Sequence, residues 1–133
     1  MRGLAPLFER YKVDVVFAGH VHNYQRSLPL TFAPKQKGPD AKGYLPGDWT
    51  LDKEYDGVKK THPKGIIYLV TGAGGANLYN LEQQDYPQTW QPFTTKLISK
   101  THSFTLVDLT DKQMTVKQVS ETGDEVDSFV ITK

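Results

Sequence analysis

The run Val13-Asp-Val-Val-Phe-Ala-Gly-His-Val-His-Asn-Tyr-Gln-Arg-Ser27 governs the reading of the whole chain. Val13 to Ala18 is rich in β-branched residues and almost continuously apolar, the pattern of a strand covered on both faces. The pattern stops at Gly19, and His20 and His22 follow at once. Two imidazoles therefore stand at the carboxyl end of a strand, where open α/β sheets gather their ligands. In extended backbone, residues two apart point to the same side, with α-carbons about 6.5 to 7 Å apart. Side chains of that length can converge on two metal ions about 3.5 to 4 Å apart, one ligand to each. A His-x-His pair alone is more readily a chance surface feature than a metal site. The apolar strand and glycine before it, and the polar and aromatic stretch after it, favour a metal site. His20 and His22 are the candidate metal ligands.

Upstream, Leu4, Leu7, Phe8 and Tyr11 fall on one helical stripe with Pro6 near its start, which predicts one short helix through about Lys12. Downstream, residues 28–64 break into Pro29, Pro34, Gly38-Pro39, Gly43, Pro46-Gly47, Gly57 and Pro63, which reads as a long loop or insertion. Within it Trp49, Tyr44 and Tyr55 are expected to pack against the body. Ile66 to Val70 is a second buried strand, and it runs into Thr71-Gly-Ala-Gly-Gly-Ala-Asn77. That glycine run lacks the spacing and following helix of a dinucleotide fingerprint, so a tight backbone passage beside the histidines is the better reading. Asn77 and Asn80 are placed as turn residues. Tyr86 to Phe93 is aromatic and broken by proline, an irregular segment. Ser103 to Leu109, Met114 to Val119 and Val126 to Thr132 alternate apolar and polar residues around tight turns, predicting three antiparallel strands. The expected class is β-rich α/β, with residues 1–133 forming one domain or subdomain.

With 38% hydrophobic and 23% charged residues, the composition is that of a globular chain. No apolar run approaches the roughly 20 residues of a membrane span. The N-terminus has no apolar signal core, so no secretion signal is expected within the chain itself. A net charge of +1 gives no electrostatic case for nucleic acid or a membrane partner. Lysines gather between Lys35 and Lys64 and acids between Asp108 and Asp127, which read as solvated surfaces. The absence of cysteine removes disulfides, thiolate metal sites and a thiol nucleophile. There is no Gly-x-Ser-x-Gly, so nucleophilic catalysis has no motif either. His62 in the long loop and His102 at a strand start have no neighbouring ligand set and read as exposed or hydrogen-bonded residues.

The stretch from Val13 to Ser27 resembles the last metal-binding motif of the calcineurin-like metallophosphoesterases, most of all the purple acid phosphatase branch. Tyr24 and Arg26 add to the likeness, as do Ile66 to Gly75 and the hairpins from Ser103 to Phe129. The chain departs at Gln25, where many purple acid phosphatases have glutamate, and at Asn23, where a small residue is common. The resemblance implies the C-terminal half of a layered α/β sandwich. It also implies a binuclear centre, iron with zinc, manganese or a second iron, in the full-length enzyme. His20 would serve the divalent site and His22 the ferric one. The reaction implied is hydrolysis of a phosphate ester by metal-bound hydroxide, and branch relatives are often secreted, so an exported parent protein is the family-level expectation.

The family's other motifs come before this one: Asp-x-His or Asp-x-Gly, a Gly-Asp carrying the bridging carboxylate, a Gly-Asn-His, and a further histidine. None precedes His20 here, and Gly47-Asp48 and Gly123-Asp124 read as turn residues. The chain thus holds no residue read as catalytic and no identified substrate-binding residue. Two neutral imidazoles without a bridging carboxylate hold two cations poorly, so weak metal binding and little turnover are expected of the isolated fragment. Without its partner half, exposed sheet surface is expected to favour self-association. The alternative is a non-catalytic metal-binding or assembly module in which the Gly-His-x-His site is vestigial.

Overall fold

Strand alternation decides how the layers stack. The computed structural model describes residues 2–133. At its centre runs β5 (Ile67–Thr71), flanked by β1 (Val15–Ala18), parallel to it, and β2 (Tyr24–Ser27), antiparallel to it. β2 pairs on its other side with β6 (Thr94–Ile98), giving the order β1-β5-β2-β6. The C-terminal residues form a separate antiparallel sheet of β7 (Ser103–Leu109), β8 (Gln113–Ser120) and β9 (Glu125–Thr132). Side chains two apart share a face. Ile67 and Leu69 of β5 accordingly join Tyr24, Ile98, Val116, Phe129 and Ile131 in a core between the two sheets, with Tyr55 added from a loop. A fully buried side chain of this kind contributes about 1.5 to 3 kcal/mol.

Tyr68 and Val70 face the other way, onto a smaller layer made by α1 (Ala5–Arg10) and the hairpin β3 (Leu30–Pro34) and β4 (Gly47–Leu51). Ala5, Phe32 and Leu45 are buried together there against Trp49. The Glu9 carboxylate accepts the Phe32 backbone N–H at 2.7 Å, tying α1 to the hairpin. Pro6 sits in the first turn of α1, as its missing N–H permits. The β-rich α/β class, the short N-terminal helix, the buried central strand and the C-terminal antiparallel strands are all present.

Three local expectations differ from the structure. Residues 28–64 are not wholly loop: β3 and β4 pair from Leu30↔Leu51 to Pro34↔Gly47. The prolines at 29 and 34 sit at or beside the ends of β3, so they punctuate the strand without breaking it. Gly47-Asp48 opens β4 and is not a turn. A methyl group at Gly47 would overlap the Phe32 ring, which explains the glycine there. β1 is an edge strand, covered only in part, and Phe17 is exposed. Most of the α1 stripe faces outward: Leu4, Leu7 and Tyr11 are exposed, Phe8 is half-buried, and Ala5 is the fully buried residue of that helix. Hydrophobic periodicity reports that a face suits burial, and nothing within residues 2–133 covers this one.

The stretch after β4 is a strap over the core. The Tyr55 hydroxyl donates to the Val130 carbonyl at 2.8 Å, and Gly57 and Thr61 carbonyls accept Val130 and Thr132 N–H. Buried Asp52 anchors the strap, accepting backbone N–H groups from Lys64, Glu54 and Tyr55 at 2.8, 3.0 and 3.3 Å. Burial alone would raise this carboxyl, but the three donors prevail and hold it below the usual carboxylate range. A lowered folded-state value means the stabilisation is complete above the unfolded value, near pH 4, and is lost as pH falls through the folded one. Asp52→Asn is therefore expected to lower Tm at pH 7 and to flatten the acid side of the Tm–pH curve. An unchanged acid limb would remove Asp52 as its source.

Candidate metal centre

The chain leaves β1 at Gly19 and turns sharply. His20 has φ +75°, and Val21 N–H donates back to the Gly19 carbonyl at 3.0 Å. Asn23 N–H does the same to Val21 at 2.9 Å. His20 and His22 are thus each the middle residue of a three-residue turn, and the first has the positive φ of the rare, strained form. This replaces the extended geometry expected for residues 20–22. A non-glycine residue held at positive φ costs on the order of 1 kcal/mol or more, and such residues concentrate at functional sites.

What holds the turn is the segment after β5. At Gly72 a methyl group would overlap the Val21 carbonyl oxygen, so only glycine lets the two backbones pass. The expected tight passage beside the histidines is there. Beyond it, His22 Nδ1 donates to the Asn77 carbonyl at 2.8 Å. Tyr79 stacks on the His22 ring, centroids 4.1 Å apart and planes at 20°, and its N–H donates to the His22 carbonyl at 3.0 Å. A neutral imidazole that donates from Nδ1 keeps its lone pair on Nε2, and a carbonyl on the second nitrogen is the usual partner of a metal-binding histidine. Asn77 acts here through its backbone, and neither it nor Tyr79 carries a sequence signal for that role.

Behind the turn, β2 carries the Tyr24 and Arg26 of the motif into the sheet interface. Arg26 makes a two-pronged ion pair with Asp127 of β9, Nε to Oδ2 at 2.7 Å and the second bond at 2.9 Å. The Tyr24 hydroxyl donates to the same carboxylate at 2.8 Å, and Arg26 lies 4.9 Å over the Phe129 ring. Burial first, then the adjoining Asp127 charge, keeps the Tyr24 phenol protonated far above its ordinary range. These motif residues lock the C-terminal sheet to the strand that leaves the histidine turn. Asp127, an acid at the far end of the chain, is the partner that sequence reading did not identify.

Asn23 is fully buried, accepts from Gln25 at 3.0 Å, and has no partner for Nδ2 among the described residues. His20 and His22 come together with the glycine loop, while His62 lies apart, bonded to the Thr132 hydroxyl at 3.2 Å. The apolar cavity of about 270 Å³ beneath α1 is lined by neither candidate ligand. Among the described residues no third histidine or carboxylate joins the pair in a metal-sized group. The donors present fit part of a metal centre: one imidazole with a free Nε2 in a fixed orientation, a second exposed beside it, and no anionic bridge.

No family model matches the chain. It is 28% identical over 144 aligned positions to probable inactive purple acid phosphatase 1 of Arabidopsis thaliana, covering 98% of this chain and 18% of that protein. Acid phosphatase type 7 of Mus musculus is 26% identical over 122, covering 92% of this chain and 24% of that one. The fold matches purple acid phosphatase PPD1 from yellow lupin seeds with a TM-score of 0.60 and 23% identity, over 97% of this chain and 19% of the lupin chain. The chain spans between 10% and 24% of the length of the curated relatives it matches. In sequence and in fold, it corresponds to the C-terminal portion of a purple acid phosphatase-like metallophosphoesterase.

Proposed function

We propose that the chain supplies two histidine ligands, His20 and His22, to the binuclear metal centre of a phosphate-ester hydrolase whose remaining ligands lie outside these 133 residues. The observation that carries this reading is the His22 ring, oriented by the Asn77 carbonyl and Tyr79 with Nε2 left free. Iron, paired with zinc, manganese or a second iron, is the proposed metal content of the full-length enzyme. Such ions supply water activation and neutralise charge on the phosphoryl oxygens. The chain's own part is orientation: the turns at 20 and 22 bring two histidines to one strand end, Gly72 lets the glycine loop pass against that turn, and Asp127 holds the strand that follows.

A second reading has its own support. Among the described residues the pair lacks a third donor, and the Arabidopsis relative is named as inactive, which suits a binding or assembly module with a vestigial site. p-Nitrophenyl phosphate hydrolysis by the purified chain tests whether the fragment is self-sufficient. We expect turnover near background with zinc, manganese or iron added. Metal-dependent hydrolysis that disappears in both His20→Ala and His22→Ala would overturn the view that the catalytic set is completed from elsewhere.

A further inference from the structure

We propose that His102 is a positioning residue for His22, acting as a latch on the loop from Gly72 to Tyr79; the inference rests on His22 being a metal ligand. That loop is caught between two walls. On one side stand the Val21 carbonyl, packed on Gly72, and the His22 ring and backbone, bound by Asn77 and Tyr79. On the other side Ser103 N–H donates to the Ala73 carbonyl at 3.2 Å, and His102 Nε2 donates to the Ala76 carbonyl at 3.1 Å.

Between Ala73 and Asn77 the loop has little else to fix it. Ala73 is fully buried, but Gly74 to Asn77 are exposed, and a methyl added at Gly75 would touch nothing within 4 Å. Two successive glycines leave that arc the widest conformational freedom a chain has. His102 is the side chain that closes it. The carbonyl it holds, Ala76, immediately precedes the one that binds His22, so fixing the first peptide restricts the next. His102 is itself held through its backbone, whose carbonyl accepts Glu121 N–H at 2.8 Å. A line of contacts therefore runs from the β8–β9 turn through His102 and the glycine arc to the ring of His22. Releasing the arc frees the Asn77 carbonyl to swing away, and His22 then takes either tautomer, because the partner of one nitrogen decides which one carries the proton.

The test uses the metal-free 133-residue chain, labelled with nitrogen-15, and reads the tautomer of His22 from its ring-nitrogen shifts above pH 8. The wild type is expected to show the Nδ1–H form. His102→Ala should raise the Nε2–H fraction severalfold, and His102→Gln, whose amide also donates, should restore the wild-type spectrum. The His102 side chain is 40% exposed, so both variants are expected to fold, which a melting curve checks. Zinc titration of the same samples should show an about 10- to 100-fold weaker affinity for the alanine variant, the usual cost of losing an outer-layer partner. An unchanged His22 tautomer in His102→Ala overturns the latch, even if zinc still binds through His20 and His22. A changed tautomer in a chain that takes no zinc supports the latch and counts against the metal reading.

Discussion

Asp127→Ala is expected to destabilise the chain by about 3 to 5 kcal/mol, because it strands a buried guanidinium. Arg26 and Asp127 have side chains only 13% and 6% exposed, and the carboxylate accepts the two Arg26 bonds together with the Tyr24 hydroxyl. Removing it leaves Arg26 against the Phe129 ring with no counter-charge, and leaves a buried phenol without its acceptor. Asp127→Asn keeps the shape and one carbonyl oxygen, so its cost should lie between wild type and alanine. Urea unfolding followed by circular dichroism reads both. A loss below about 1 kcal/mol for alanine would place this pair with exposed ion pairs. Because Asp127 holds β9 to β2, the variant should also loosen the strand that follows the histidine turn, visible as faster amide exchange at Tyr24 to Arg26.

Gly72→Val follows, at about 3 kcal/mol, the upper range for overpacking. The added atoms meet the Val21 carbonyl oxygen, which is backbone and cannot rotate away. Something must move, and the movable part is the turn from His20 to Asn23, since Gly72 itself continues from the central strand β5. The variant is therefore expected to lose stability and to shift the amide signals of residues 20–23 more than those of β8 and β9. A change confined to residues 71–73 would show that the histidine turn does not depend on this contact.

The histidine site was legible because its signal is local. A β-branched run, a glycine and His-x-His are adjacent in sequence, and the hairpins of the tail announce themselves by alternation and tight turns. What sequence did not carry were the partners brought in from a distance. Asp127 stands 101 residues from Arg26, and the Asn77 carbonyl 55 residues from His22. A backbone carbonyl leaves no mark in composition, and one acid in an acidic stretch looks solvated until the sheet that carries it is folded over. The β3–β4 hairpin was hidden for another reason: its turn residues outnumber its strand residues, so the alternation of Leu30 and Phe32 was lost among prolines and glycines. The run of β1 was read correctly as apolar and wrongly as covered on both faces, since an apolar pattern does not identify what lies opposite.

As proposed ligands, His20 and His22 need further donors to bind metal tightly. Metal content of the purified chain, set against His20→Ala/His22→Ala after equilibration with zinc and dialysis, tests it directly. The predicted result is zinc well below one equivalent in the wild type, rising with free zinc, and clearly less in the double variant at every concentration. Equal uptake by the two proteins would contradict the assignment of these histidines as ligands.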